Sequence, residues 1–236
     1  MVSVYDVYNT VQVIINKENR GYLTKDEFNR LAIQAQLEIF EAYFGDKNRA
    51  NALGENSDDY SDIARNVDEK INFFNELEDK AYVPGDPTGF FRYPDNFYRL
   101  GVVSVPQTNG LSVVADQVSH KDIRYIQLSN LTAPTVSQPV YVRRGGSTED
   151  GIKVFPDSIT TVQIDYIRRP VDPELRGTVV NSTFVPAMDS VNFELHPSEQ
   201  QELVAKILLY AGVVVRQPEI TAIGAQQAGQ IKGTEG

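Results

Sequence analysis

Few residues in this chain are arranged for making or breaking bonds. There are two histidines, His120 and His196, and no cysteine. A chain without cysteine has no disulfide, no thiolate metal site and no cysteine nucleophile. The histidines lie far apart in sequence and in no metal-ligand spacing. His196 precedes Pro197 where a helix begins, which suits capping or packing, and His120 sits in the polar turn Ser119-His120-Lys121-Asp122. No GxSxG, HExxH, Walker A or GxGxxG pattern occurs. The carboxylate pairs Asp58-Asp59 and Glu149-Asp150 lie in polar stretches that offer no apolar surroundings to raise a pKa. Solvated loop charge is the expectation for both. No catalytic residue, cofactor-binding residue or metal ligand is expected, and the chain is not expected to be an enzyme.

One segment has a partial calcium pattern. Asn16–Glu27 carries glycine at loop position six (Gly21), an apolar residue at eight (Leu23) and glutamate at twelve. Position one is Asn16 and position five is Arg20, a guanidinium where a ligand oxygen belongs, which opposes a divalent ion directly. A tight interhelical turn fits better. Gly21 allows a positive φ, and Thr24-Lys25-Asp26-Glu27 has the form of a capping box.

The doubled arginines Arg143-Arg144 and Arg168-Arg169 each end a strand-like run. Arginine forks carboxylates bidentately and is enriched at protein interfaces. On an acidic chain such pairs suit acidic patches of a neighbouring copy. Charges that blunt a strand edge are the competing reading, and the residues alone do not separate the two.

The elements that would position these residues follow from periodicity. Val4, Val7, Tyr8, Val11, Ile14 and Ile15 mark one helix face. A second helix runs from the Thr24 cap, with Phe28, Leu31, Ala32, Ala35, Ile39, Phe40 and Tyr43 facing one way, and is expected to stop near Gly45. Residues 45–60 read as a polar loop. Ile63, Val67, Ile71, Phe74 and Leu77 resume helical spacing, ended by Pro84, Gly85, Pro87 and Gly89. A β module follows. Tyr98–Val105 and Val113–Ala115 are strand-like, and Arg124–Leu128 alternates loosely. Pro139–Arg144 and Ile152–Phe155 flank a glycine-rich hairpin loop. Thr161–Ile167 alternates cleanly, with Val162, Ile164 and Tyr166 on one side together with Arg168. Pro170, Pro173, Gly177 and Pro186 mark an extended return, and Pro197 opens a last helix lined by Leu203, Ile207, Tyr210, Ala211 and Val214. The fold class expected is α+β: a helical bundle, from helices at the N- and C-terminal ends, with an inserted antiparallel β domain. Its parts are an N-terminal helical region at 1–89, the β domain at 90–186, a C-terminal helix at 187–217 and a flexible tail at 218–236.

Bulk properties bound the function. The 236 residues include 41 % hydrophobic and 10 % aromatic residues, enough for a sizeable core. The formal net charge of −10 argues against binding nucleic acid through its phosphates. The opening residues lack a cationic start and carry Asp6, so no secretory signal is expected. The apolar run Leu203–Val215 is short and contains Lys206, so no membrane span is expected.

The order of these parts is itself informative. Helices come first, YPDNFYRL leads into the β module, a strand ends in YIRRPVDPEL, and HPSEQQELVAKILLYAGV and a polar tail close the chain. That order resembles the head-to-tail adaptor or tail-tubular (neck ring) proteins of tailed phages, with the nearest likeness to ring proteins of crAss-like phages. The opening NKENRGYLTKDEFNRLAIQAQLEIFEAYF also looks like proteins of those phages. The likeness covers most of the chain in pattern and order, and YPDNF and YIRRP are packing and turn motifs without a chemical signature.

The resemblance implies a homo-oligomeric ring of twelve copies below a portal protein, next to further neck or tail rings. Genomic DNA would pass through its channel without sequence-specific binding. The location implied is the virion neck, with the host cytoplasm as the site of assembly. Interface candidates are Arg143, Arg144, Arg168, Arg169, Tyr210, Pro218, Ile220 and Ile223, the last three in a tail suited to portal docking. A second expectation is a tail-associated β module that recognises glycan or protein through Phe90, Phe91, Tyr93, Phe97 and Tyr98.

Overall fold

The structure, a computed structural model, describes residues 1–17, 23–53, 58–107, 110–129, 131–146, 150–180 and 183–214. It is α+β, with helices toward both ends and antiparallel and mixed sheets between them. The chain divides into two compact units. One comprises Met1–Ile71 with Pro170–Gly236, and the other is the continuous stretch Asn72–Arg169.

The first unit holds α1 (Val4–Lys17), α2 (Lys25–Leu53), α3 (Asp58–Asn72, whose last residue falls in the second unit) and α5 (Gln200–Val214). The apolar faces read from the spacing are buried: Val4, Val7, Tyr8, Val11 and Ile15 of α1, Phe28, Ala32, Ala35, Ile39 and Phe40 of α2, and Leu203, Ile207 and Ala211 of α5. The capping box forms at the start of α2. The Thr24 amide donates to Glu27 Oε2 (2.9 Å) and the Glu27 amide to Thr24 Oγ1 (3.3 Å). The Thr24 hydroxyl, donating to Glu27 Oε2 (2.7 Å), and then the Thr24 amide hold the Glu27 carboxyl below its ordinary pKa. Glu27, the twelfth position of the calcium-like loop, is thus engaged as a cap, while residues 18–22 of that loop lie outside the described residues.

The extended return is fixed to α2 by two side-chain amides set two turns apart. Asn29 accepts from the Leu175 amide (2.9 Å) and donates to the Leu175 carbonyl (3.2 Å), imitating a β bridge. Gln36, fully buried, donates to the Val171 carbonyl (2.7 Å) and accepts from the Glu194 amide (3.0 Å). Backbone groups that leave water need such partners. The return also carries a hairpin of β9 (Gly177–Val180) and β10 (Thr183–Pro186), and Phe193 bridges to Val2. A 3-10 turn at Pro197–Glu199 leads into α5, and His196 accepts the Ser198 amide through Nδ1 (3.3 Å), the capping role read for it.

The second unit is built from two four-stranded sheets. The first has the order β1 (Asn75–Ala81), β8 (Thr161–Arg168), β3 (Phe97–Pro106), β4 (Ser112–Val114). The second has the order β2 (Phe90–Arg92), β7 (Gly151–Phe155), β6 (Val140–Arg144), β5 (Asp116–Gln117), with β5 parallel to β6 and the other pairs antiparallel. Val103, Val105, Val162, Ile164 and Tyr166 from one sheet meet Phe91, Tyr141, Ile152 and Val154 from the other in a shared core. The alternation expected along β8 is present, as is the β6–β7 hairpin. A Cβ on Gly151 would run into the Phe91 carbonyl oxygen, so close pairing of β2 with β7 requires glycine there. A smaller core of Ile123, Val142 and Phe155 lies on the other side of the second sheet, beneath α4 (Asp122–Leu128).

Four expectations change. Of the stretch 45–60 expected as a loop, 45–53 and 58–60 are helical, with α2 continuing through Gly45 to Leu53 and α3 starting at Asp58. One glycine costs a helix only about 1 kcal/mol, and Phe40–Phe44 edge packing (5.2 Å) and a Lys47–Asp68 ion pair (2.9 Å) support that turn. Phe74 and Leu77 do not extend a helix, because residues 75–81 pair with β8 along seven registered positions. Arg124–Leu128 is helical rather than strand-like, with Ser119 Oγ accepting the Asp122 amide (3.2 Å). The β unit accordingly runs from Asn72 to Arg169 instead of 90–186, since β1 joins it and the return beyond Pro170 belongs to the helical unit.

Candidate functional site

A polar cluster of the β unit lies where β1 and β8 meet. Register places Glu76 opposite Tyr166, and Phe97 opposite Arg168. Paired residues of an antiparallel ladder share a face, so their side chains converge. The Tyr166 hydroxyl lies 2.8 Å from Glu76 Oε2 and 3.0 Å from Asn96 Oδ1. Asn96 Nδ2 donates to Glu76 Oε2 (3.2 Å), and Arg168 Nε pairs with Glu76 Oε1 (2.9 Å). The guanidinium of Arg168 stands over the Phe74 ring at 5.6 Å.

Burial, reinforced by the Glu76 carboxylate, pushes the Tyr166 phenol up to about 12. That shift leads away from neutrality, so Tyr166 is a fixed proton donor to Glu76 and is poorly matched to general acid–base work near pH 7. Tyr93 stacks flat on Phe97 (3.9 Å between centroids, 5° between planes), and Phe97 lies 6.1 Å from Tyr166. Burial raises the Tyr93 phenol as well, with the nearby Arg143 guanidinium pulling the other way.

The four candidate arginines therefore differ. Arg168 is enclosed by Glu76 and Phe74 and pins β1 to β8. Arg143 is exposed and faces the Tyr93 side of the second sheet, so an aromatic series runs from Arg143 through Tyr93, Phe97 and Tyr166 toward Arg168. Arg144 closes β6 opposite Gly151, and the Arg169 amide donates to the Asn96 carbonyl (2.7 Å). Tyr210, in the helical unit, bonds to Glu38 Oε2, and Lys206 beside it is buried against Glu38 (2.7 Å) and Glu202 (3.7 Å). Burial and Glu38 raise the Tyr210 phenol to about 12. Pro218, Ile220 and Ile223 lie outside the described residues.

The aromatics considered for glycan stacking are placed differently from one another. Phe90 and Phe91 are core, Tyr93 and Phe97 stack on each other, and Tyr98 is at the surface. Beside the polar cluster a cleft of about 530 Å³ opens, lined by Glu76, Leu77, Glu78, Lys80, Tyr93, Pro94, Asp95, Asn96 and Tyr166.

The sequence reading did not single out α4. Its Ile123 is buried, while Tyr125 (63 % exposed), Leu128 (82 %) and, just beyond, Leu131 (95 %) are held outward. The available signal was Ser119-x-x-Asp122, an N-cap pattern before an apolar pair at Ile123 and Ile126. Among the described residues no group of three or more His, Asp or Glu is placed to hold a metal, and no helix is long and apolar enough to cross a membrane. No protein-family model matches this sequence, and no curated protein matches it.

Proposed function

We propose that this chain is a virion structural protein of the head-to-tail connector type, an adaptor or neck ring that docks below a portal and forms part of the channel for the genome. The observation that carries the reading is the division of the chain. The first and last helical segments belong to one unit, and the β unit is set between them, the arrangement that the resemblance implies for a ring subunit. In this reading α1, α2 and α5 form the subunit bundle, and the β unit meets neighbouring copies. Large apolar side chains held outward on a folded surface favour such contacts, and Tyr125, Leu128 and Leu131 are of this kind. The formal charge of −10 suits a channel that DNA slides through, because it repels phosphate instead of holding it. Residues 218–236 are the candidate for insertion into the portal.

Negative-stain imaging and light scattering of the purified full chain test the reading, alone and mixed with the portal protein of the same virion. Rings of uniform size are expected. A chain that stays monomeric under both conditions overturns the proposal.

A further inference from the structure

We infer that neighbouring copies join head to tail through their β units, with the outer face of α4 on one copy seated in the β1-side cleft of the next. The inference rests on the ring reading and names the surfaces that would build it.

The first surface is the exposed side of α4. Ile123 anchors the helix on Val142 and Phe155 of the second sheet. That anchoring holds Arg124, Tyr125 and Leu128 outward, with Leu131 following. Lys121 and Arg124 give this face cationic character, and the one carboxylate of the turn, Asp122, is engaged by Ser119 Oγ (2.6 Å).

The second surface is the cleft on β1. Of the three carboxylates in its lining, Glu76 is paired with Arg168 (2.9 Å) and Glu78 with Lys80 (2.8 Å), so the exposed Asp95 is the carboxylate it offers to an incoming cation. Leu77 (63 % exposed) and Pro94 supply apolar wall. Charge and polarity therefore match across the pair: Arg124, on a helix face with apolar tips, meets Asp95 on a cleft with an apolar lip.

Topology decides that the contact joins different copies. The helix covers the outer side of the second sheet, over β6 and β7, whereas β1 is the terminal strand of the first sheet. Both patches belong to one compact unit and lie on different sides of it, so a copy cannot fill its own cleft. Because the two patches lie on different sides, one two-fold contact cannot seat both helices in both clefts at once. The complementary pairing is heterologous, and a heterologous contact whose rotation closes generates a ring.

Charge exchange tests this. Arg124→Glu and Asp95→Arg are each expected to weaken assembly at least tenfold in sedimentation velocity, and the two in one chain to recover most of it. Both positions are exposed, so circular dichroism should report an unchanged fold. Because the chain has no cysteine, Leu77→Cys combined with Leu128→Cys gives a second readout. On oxidation the double variant should form covalent ladders longer than a dimer, and neither single variant should. If wild type assembles while the charge variants assemble equally well and the double-cysteine chain does not ladder, this interface is overturned and the ring reading stands. A wild-type chain that is monomeric alone and with portal overturns both.

Discussion

Tyr166 joins the core of the β unit to its polar edge. Its ring lies in the core shared by the two sheets, and its hydroxyl reaches the Glu76–Asn96–Arg168 cluster. A phenol whose folded pKa exceeds its unfolded value favours folding in its neutral form. The contribution is complete below the ordinary value of 10 and is lost as pH rises through about 12. Tyr166→Phe should cost about 1 kcal/mol at pH 7, the usual worth of a hydrogen bond to a retained partner. It should also flatten the fall in stability between pH 10 and 12. Urea midpoints of both proteins at pH 7, 10 and 12 check this, and equal alkaline slopes would count against it. The residues of this cluster were only half legible in the sequence. The alternation of Thr161–Ile167 put Tyr166 and Arg168 on one face, but Glu76 lay in a stretch that read as helix. Without Glu76 the partner of Arg168 was missing, and the arginine looked available to a neighbour.

At the scale of elements, local signals and long-range pairing separate clearly. The capping box at Thr24–Glu27, the β6–β7 hairpin and the helical faces of α1, α2 and α5 were readable because each is specified by residues close in sequence. The segment Asn75–Ala81 was not, because Asn-Glu-Leu-Glu-Asp-Lys-Ala has weak strand propensity and becomes a strand only by pairing with residues about ninety positions later. The extended return was legible as extended, but its attachment to α2 was not. Asn29 and Gln36 look like ordinary polar positions until they are found clamping Leu175, Val171 and Glu194. Gln36→Leu keeps the volume of a fully buried side chain and strips partners from two partly buried backbone groups, the Val171 carbonyl and the Glu194 amide. A loss of about 1 kcal/mol is expected in chemical denaturation, because partly buried groups left without partners bear part of their desolvation cost. A loss under about 0.5 kcal/mol would mean that water replaces the amide.

At the scale of the whole molecule, the β unit is a continuous stretch set within a discontinuous one. Its ends enter and leave through adjacent paired strands, with Asn75 opposite Ile167. Residues 72–169 expressed alone should fold cooperatively, with β-type circular dichroism and a single thermal transition, since the fragment contains its own two-sheet core. A fragment that is unfolded by dispersion of its NMR amide signals would contradict this. The same pairing decides how the unit bears load. Its two ends lie at the same end of an antiparallel ladder, so a pull applied between them peels rungs one after another instead of shearing many together. The first rungs under tension are Asn75–Ile167 and Glu76–Tyr166. Arg168 on Glu76 and over Phe74, with Tyr166 on the same carboxylate, sits at the mouth of that zipper as a clasp. The mechanical strength of the insert is therefore set by three side chains around one glutamate, and much less by the breadth of its sheets.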